Sequence, residues 1–190
     1  MPSQYPRPND YFATVANNFQ ALQTLAPLVD RAAQTLANVI RQGNKVMFCG
    51  NGGSAADAQH LSAELMGRYL KERNPLPAIA LTTDTSALTA IGNDYEFAEV
   101  FARQLRGIGR KGDALLALST SGTSENVVRA LKTAKDMGIA TIGLTGQSGG
   151  KFRDLADIAI CVPATQANHI QEMHIAIGHY ICGFIEQAAG

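Results

Sequence analysis

The stretch CGNGGSAADAQH, Cys49 to His60, closes an apolar segment, passes through a glycine loop and opens an alanine-rich segment. A strand that ends in such a turn and gives way to a helix is a unit of an α/β sheet, and the turn commonly cradles a phosphate at the helix start. Gly50-Asn51-Gly52-Gly53-Ser54-Ala55 also fits G-x-G-x-x-A, the dinucleotide fingerprint. That fingerprint requires an acidic residue closing the second strand about 20 residues on, whereas the next apolar run, AIALTTD, reaches Asp84 much later. No Lys follows the glycines, as a P-loop needs. The loop suits a phosphate without carrying a complete nucleotide motif.

Working outward, KVMFCG (45–50) is the first of five apolar runs of strand length. The others are AIALTT (78–83), DALLALST (113–120), ATIGLTG (140–146) and IAICVP (158–163), with segments of helical spacing between them. Runs apolar on both faces suit a parallel sheet covered on two sides, so the pattern predicts a three-layer α/β open sheet of about five parallel strands joined by right-handed crossovers. Ligands in such sheets sit beyond the carboxyl ends of the strands. Upstream, apolar residues recur at three and four from Asp10 to about Gln42, which predicts N-terminal helices broken at Pro27 and ended by Gly43. The proline-rich residues 1–9 read as a flexible arm, leaving 10–190 as a single domain that includes the helical region.

Composition narrows the function classes. Sixteen basic residues balance sixteen acidic ones, so no charge surplus is available to hold a nucleic acid through many phosphate contacts. Cys49, Cys161 and Cys182 are far apart and read as small apolar residues of a reducing compartment rather than as a disulfide framework. The N-terminus lacks an apolar signal core and no run of 18 apolar residues occurs, so a cytoplasmic protein without a membrane span is expected.

The third run ends in Ser119-Thr120-Ser121-Gly122-Thr123-Ser124, with a helical segment after it. Ser119, Thr120, Ser121 and Ser124 supply hydroxyls, Gly122 lets the backbone come close, and a helix start adds free N–H groups with positive partial charge. A serine-rich capping turn is the structural alternative. His60 and Glu64 lie four apart and Gln171 and His179 eight apart, each pair on one side of a helix. Either pair can ligate a divalent metal, divide acid and base duties, or stand as solvated surface residues. Asn93 and Asp94 could bond the hydroxyls of a polyol, or close a capping turn.

Taken in order over about residues 10 to 188, GNGGSAADAQH, Glu64, ALTTDTS, AIGNDY, LSTSGTSENV, GLTGQSGG and IQEMHIAIGH resemble the phosphoheptose isomerase family of sugar isomerase (SIS) domain proteins. The resemblance implies a flavodoxin-like SIS fold. It also implies conversion of sedoheptulose 7-phosphate to D-glycero-D-manno-heptose 7-phosphate through a cis-enediol, the first step toward activated heptose for lipopolysaccharide or another surface glycan. Carried over by motif, the phosphate lies on Ser119, Thr120, Ser121 and Ser124. Asn51, Gly52, Gly53 and Ser54 line the sugar, with Asn93, Asp94 and Gln171 as further substrate contacts. Glu64 is the implied base and His179 its partner for the oxygen protons. One zinc per subunit is implied on His60, Glu64, Gln171 and His179, as is a homotetramer with active sites between subunits. The rival is a non-catalytic SIS-type factor that associates with the replication initiator or senses a sugar phosphate; the initiator factor lacks the acid at the place of Glu64 and the imidazole at the place of His179. One departure from the family pattern is the pair Asn168-His169 before Gln171, where an acidic or hydroxyl residue and a basic one are expected.

Overall fold

The computed structural model describes residues 5–189; residues 1–4 and 190 lie outside the described residues. Five strands form one parallel sheet: β1 (Val46–Cys49), β2 (Ala78–Ala80), β3 (Ala114–Ser119), β4 (Ala140–Thr145) and β5 (Ile158–Cys161). Their order is β2-β1-β3-β4-β5. Every residue of β1 and β3 is buried, whereas edge strand β5 alternates between buried and half-buried, as strands covered on both faces and at an edge should.

Eight α-helices accompany the strands among the described residues: α1 (Pro8–Leu22), α2 (Ala26–Arg41), α3 (Gly53–Met66), α4 (Thr85–Asp94), α5 (Val100–Ile108), α6 (Glu125–Asp136), α7 (Phe152–Leu155) and α8 (Ala167–Ala189). Apolar packing falls into two clusters, one on each face of the sheet. One joins Leu36, Ala58, Leu61, Met173 and Ile177 of α2, α3 and α8 to Phe48 and Leu116. The other joins Phe101, Leu105, Val127, Leu131 and Phe152 of α5, α6 and α7 to Met47 and Leu115. The expected three layers are present.

Two details differ from the sequence expectation. Of the arm expected over residues 1–9, Pro8 and Asn9 already belong to α1; proline fits the first helical position, where its missing N–H costs nothing, and Asp10 favours the positive helix end. The break before α2 is a 3-10 turn at Gln23–Leu25, with Pro27 just inside α2 rather than between the helices. Gly43 ends α2 with φ +79°, as expected. Cys49 and Cys182 are buried and their thiols are pushed up by burial, while Cys161 is only half-buried; all three are free.

Candidate active site

In the order 2-1-3-4-5 the direction of winding reverses between β1 and β3, so their carboxyl ends form the crevice where ligands enter this kind of sheet. The two loops singled out in the sequence emerge there side by side. They are tied together by a reciprocal amide pair: Asn51 Nδ2 donates to Asn126 Oδ1 and Asn126 Nδ2 to Asn51 Oδ1, both at 2.8 Å. Asn126 was not among the expected site residues. It is the second residue of α6 and lies 75 positions from its partner. The pairing also commits much of the Asn51 amide to holding the loops together.

The glycines of the first loop serve different ends. Gly52 has φ +55°, a region open to glycine at low cost. Gly53 makes room for another side chain: a Cβ there would stand 2.6 Å from Gln171 Nε2. In the second loop, Ser119 Oγ lies 3.0 Å from Ser124 Oγ and 3.4 Å from Ser121 Oγ. Ser124 precedes α6 without capping it through its side chain. Its hydroxyl joins the serine cluster instead of capping the helix. Behind this loop the Gly146 N–H bonds to the Thr120 carbonyl at 3.1 Å and the Lys151 N–H to the Gly122 carbonyl at 2.9 Å.

The other expected pairs meet across α3 and α8. His60 Nε2 is 2.8 Å from His179 Nε2 and 3.1 Å from Glu64 Oε1, so one imidazole donates to the other beside a carboxylate. Ligand atoms of the three residues lie within 4.8 Å of one another. Tetrahedral zinc with bonds near 2.0–2.1 Å separates its ligand atoms by roughly 3.3 Å. Two imidazoles and a carboxylate at such separations form a donor set that suits a zinc ion.

Gln171, expected with this group, has its close approach at the glycine loop. Its amide rests at Gly53 on the first turn of α3, and seven residues of helix, roughly 10 Å, lead from there to His60. Its place beside the glycine loop suits substrate contact. Helices α3 and α8 do begin at the ligand side, but their polar groups lie far along them: from Gly53 to Glu64 the rise is roughly 16 Å.

Asn93 and Asp94 close α4, where Asn93 Nδ2 donates to Asp94 Oδ1 at 2.8 Å, and none of their recorded hydrogen bonds reaches either loop. The helix is capped at its start by Asp84, which accepts from the Ala87 N–H. At the unusual turn before Gln171, His169 is buried and its Nδ1 lies 2.9 Å from Glu172 Oε2. The Tyr11 hydroxyl donates to Glu172 and accepts from Asn168 Nδ2. Asn168 and His169 thus belong to a clasp between α1 and α8. The remaining histidine, His174, is fully buried; burial pushes it down to about 4, against the Thr145 backbone. It stays neutral at physiological pH, unsuited to proton shuttling.

Residues 10–146 match the family model for the SIS domain. The chain is 57% identical over 175 residues to the phosphoheptose isomerase of Rhodospirillum rubrum, a match covering 92% of this chain and 93% of that one. The chain belongs to the phosphoheptose isomerase family. Solved phosphoheptose isomerases superpose closely on it: GmhA from Neisseria gonorrhoeae with a TM-score of 0.89 at 43% identity, and the enzyme from Francisella tularensis with 0.90 at 39%. Each match covers 94% of this chain and 96% of the other. Membership in the phosphoheptose isomerase family makes this chain an isomerase and disfavours the non-catalytic SIS-type alternative. Among the described residues, no helix is long and apolar enough to cross a membrane.

Proposed function

We propose that the protein converts sedoheptulose 7-phosphate to D-glycero-D-manno-heptose 7-phosphate, the first step toward activated heptose for lipopolysaccharide or another surface glycan. The observation that carries this reading is the pairing of an uncapped serine cradle at the β3 exit with a carboxylate and two imidazoles on α3 and α8. Ser119, Thr120, Ser121 and Ser124 hold the phosphate, and Gly52, Gly53, Ser54 and Gln171 line the sugar beside it. Glu64 takes a proton from C1 and the C1–C2 bond becomes the double bond of an enediol. His179 moves the proton of the C1 hydroxyl toward the C2 oxygen, and the carbon proton returns to C2, leaving an aldehyde at C1. Atoms and electrons balance without an outside oxidant or reductant.

His60, Glu64 and His179 are the residues that would hold a zinc ion, one per subunit. When bound, zinc supplies Lewis-acid polarisation of oxygen. A carboxylate that also ligates is a poorer base, so Glu64 acts while weakly bound or free.

The same reading calls for more than one copy of the chain. The backbone rise along α3 from Gly53 to Glu64 is roughly 16 Å, so a neighbouring copy can supply one half of the site. A homotetramer with sites between subunits brings the loop of one copy to the His–Glu–His group of another. Helix α1 buries none of its residues, and an apolar groove of about 280 Å³ between α1, α2 and α8, lined by Phe19, Leu22, Val29, Ile177 and Tyr180, suits contact between copies. A cytoplasmic location fits three free thiols.

The test is incubation with sedoheptulose 7-phosphate in D₂O, with and without Zn²⁺, following aldose and deuterium at C2 by NMR. Formation of the aldose supports the reading; no product under either condition from an intact assembly overturns it. Ser121→Ala with Ser124→Ala is expected mainly to raise KM, since the phosphate is held alike in ground and transition states; a selective fall in kcat argues against that role. At substrate well below KM, coexpression of this double variant with Glu64→Gln restores part of the activity each lacks alone. No restoration would place the whole site in one chain.

A further inference from the structure

Between α3 and β2 the chain runs as a strap over residues 67–77, fixed at both ends. The Glu186 carboxylate, buried on α8, accepts three successive backbone N–H groups, from Tyr69 at 2.9 Å, Leu70 at 2.8 Å and Lys71 at 3.0 Å. Arg73 pairs with Glu186 at 3.2 Å and donates to the carbonyls of Glu64, Leu65 and Gly67, closing the end of α3. These bonds set the Tyr69 ring nearly parallel beside the His179 imidazole, with centroids 5.8 Å apart and planes at 20°. His60 meets the same imidazole at 62°, with centroids 4.9 Å apart. Gly183 leaves room for the arrangement, since a Cβ there would stand 3.1 Å from Tyr69 Cε1.

We infer that Tyr69 is a positioning residue that sets the plane of the His179 ring and so keeps Nε2 aimed at His60 and Glu64. An imidazole on a helix face rotates about its Cβ–Cγ bond; the bond to His60 restrains the His179 ring at Nε2, and a neighbouring ring restrains its plane. The near-parallel ring of Tyr69 is that neighbour, with centroids 5.8 Å apart; its hydroxyl makes no recorded hydrogen bond. Backbone groups of the strap hold it in place, so the side chain at 69 can change without releasing the strap. This inference rests on the role proposed for His179.

The experiment compares Tyr69→Leu, Tyr69→Phe and His179→Gln in the full-length assembled protein. Tyr69→Leu is expected to lower kcat roughly tenfold to a hundredfold, the scale of a displaced catalytic group, with KM for sedoheptulose 7-phosphate little changed. Tyr69→Phe restores kcat. A readout independent of turnover is the His179 ring proton resonance in metal-free protein, which the neighbouring Tyr69 ring current shifts: the shift is lost in Tyr69→Leu and kept in Tyr69→Phe. Wild-type kcat and resonance in Tyr69→Leu overturn the inference, as does a phenylalanine variant that behaves like leucine. Full activity in His179→Gln instead overturns the role of His179 and leaves the resonance to judge the stacking. If Tyr69→Leu does not fold, Gly183→Ala displaces the ring from behind; an unmoved His179 resonance and unchanged kcat there overturn the inference.

Discussion

Glu64→Gln is expected to keep sedoheptulose 7-phosphate binding and to lose turnover by about 10²-fold or more, the usual scale for a group that transfers a proton. The exchange preserves length and shape, so the amide can still stand beside His60, where the carboxylate lies 3.1 Å from Nε2. It also leaves the serine cradle intact. What is removed is the ability to accept the C1 proton, because an amide is not a base at physiological pH. The loss should therefore fall on kcat, with substrate affinity by calorimetry close to wild type. Since Glu64 is also a zinc candidate, affinity for Zn²⁺ must be measured in the same variant and turnover compared at saturating metal. Near-normal turnover would remove Glu64 from the mechanism, whereas loss of zinc affinity with turnover retained would make it a ligand alone.

The parts of this molecule that were legible in sequence are those whose cause is local. Val46 to Cys49 and Ala114 to Ser119 are apolar on both faces because each strand is covered on both faces, and that condition is written in consecutive residues. Ser119, Ser121 and Ser124 belong to one turn, so their convergence was readable from spacing. His60 and Glu64 are one helical turn apart and meet for the same reason. The illegible parts join residues distant along the chain. The Asn51–Asn126 pair spans 75 positions and the His60–His179 contact 119; neither leaves a periodic trace. The seating of Gln171 on Gly53 separates this glutamine from the His–Glu–His group, although its spacing from His179 suggests partnership. Spacing along a helix gives the side on which a residue stands. It does not give the level at which a neighbouring helix meets it, and that level places the Gln171 amide at Gly53 of the glycine loop.

Glu186→Leu is expected to lower the free energy of unfolding by about 3–5 kcal/mol, the range for breaking a buried ion pair from one side. The Arg73 side chain is 4% exposed and that of Glu186 2%, so water cannot replace the lost carboxylate. The three N–H groups of Tyr69, Leu70 and Lys71 lose their acceptor at the same time, and an unsatisfied buried donor carries its own penalty. Burial works to raise the Glu186 carboxyl, but those N–H groups and Arg73 outweigh it and hold it below the usual carboxylate range. The sign follows: a depressed native value gives stability that is present at neutral pH and lost as pH falls through it. Urea unfolding at pH 7 gives the magnitude, with Glu186→Gln as the comparison. Glutamine keeps an acceptor oxygen and the volume, so it should lie between wild type and leucine. A leucine variant within about 0.5 kcal/mol of wild type, the range of ordinary surface substitutions, would show that the strap is held by other contacts. Against a total stability of about 5–15 kcal/mol for a domain, a loss of about 3–5 kcal/mol leaves a folded protein wherever the wild-type value exceeds it. In that protein the strap is loosened where it lies against His179, so the turnover deficit should exceed the fraction of chains unfolded at the assay temperature.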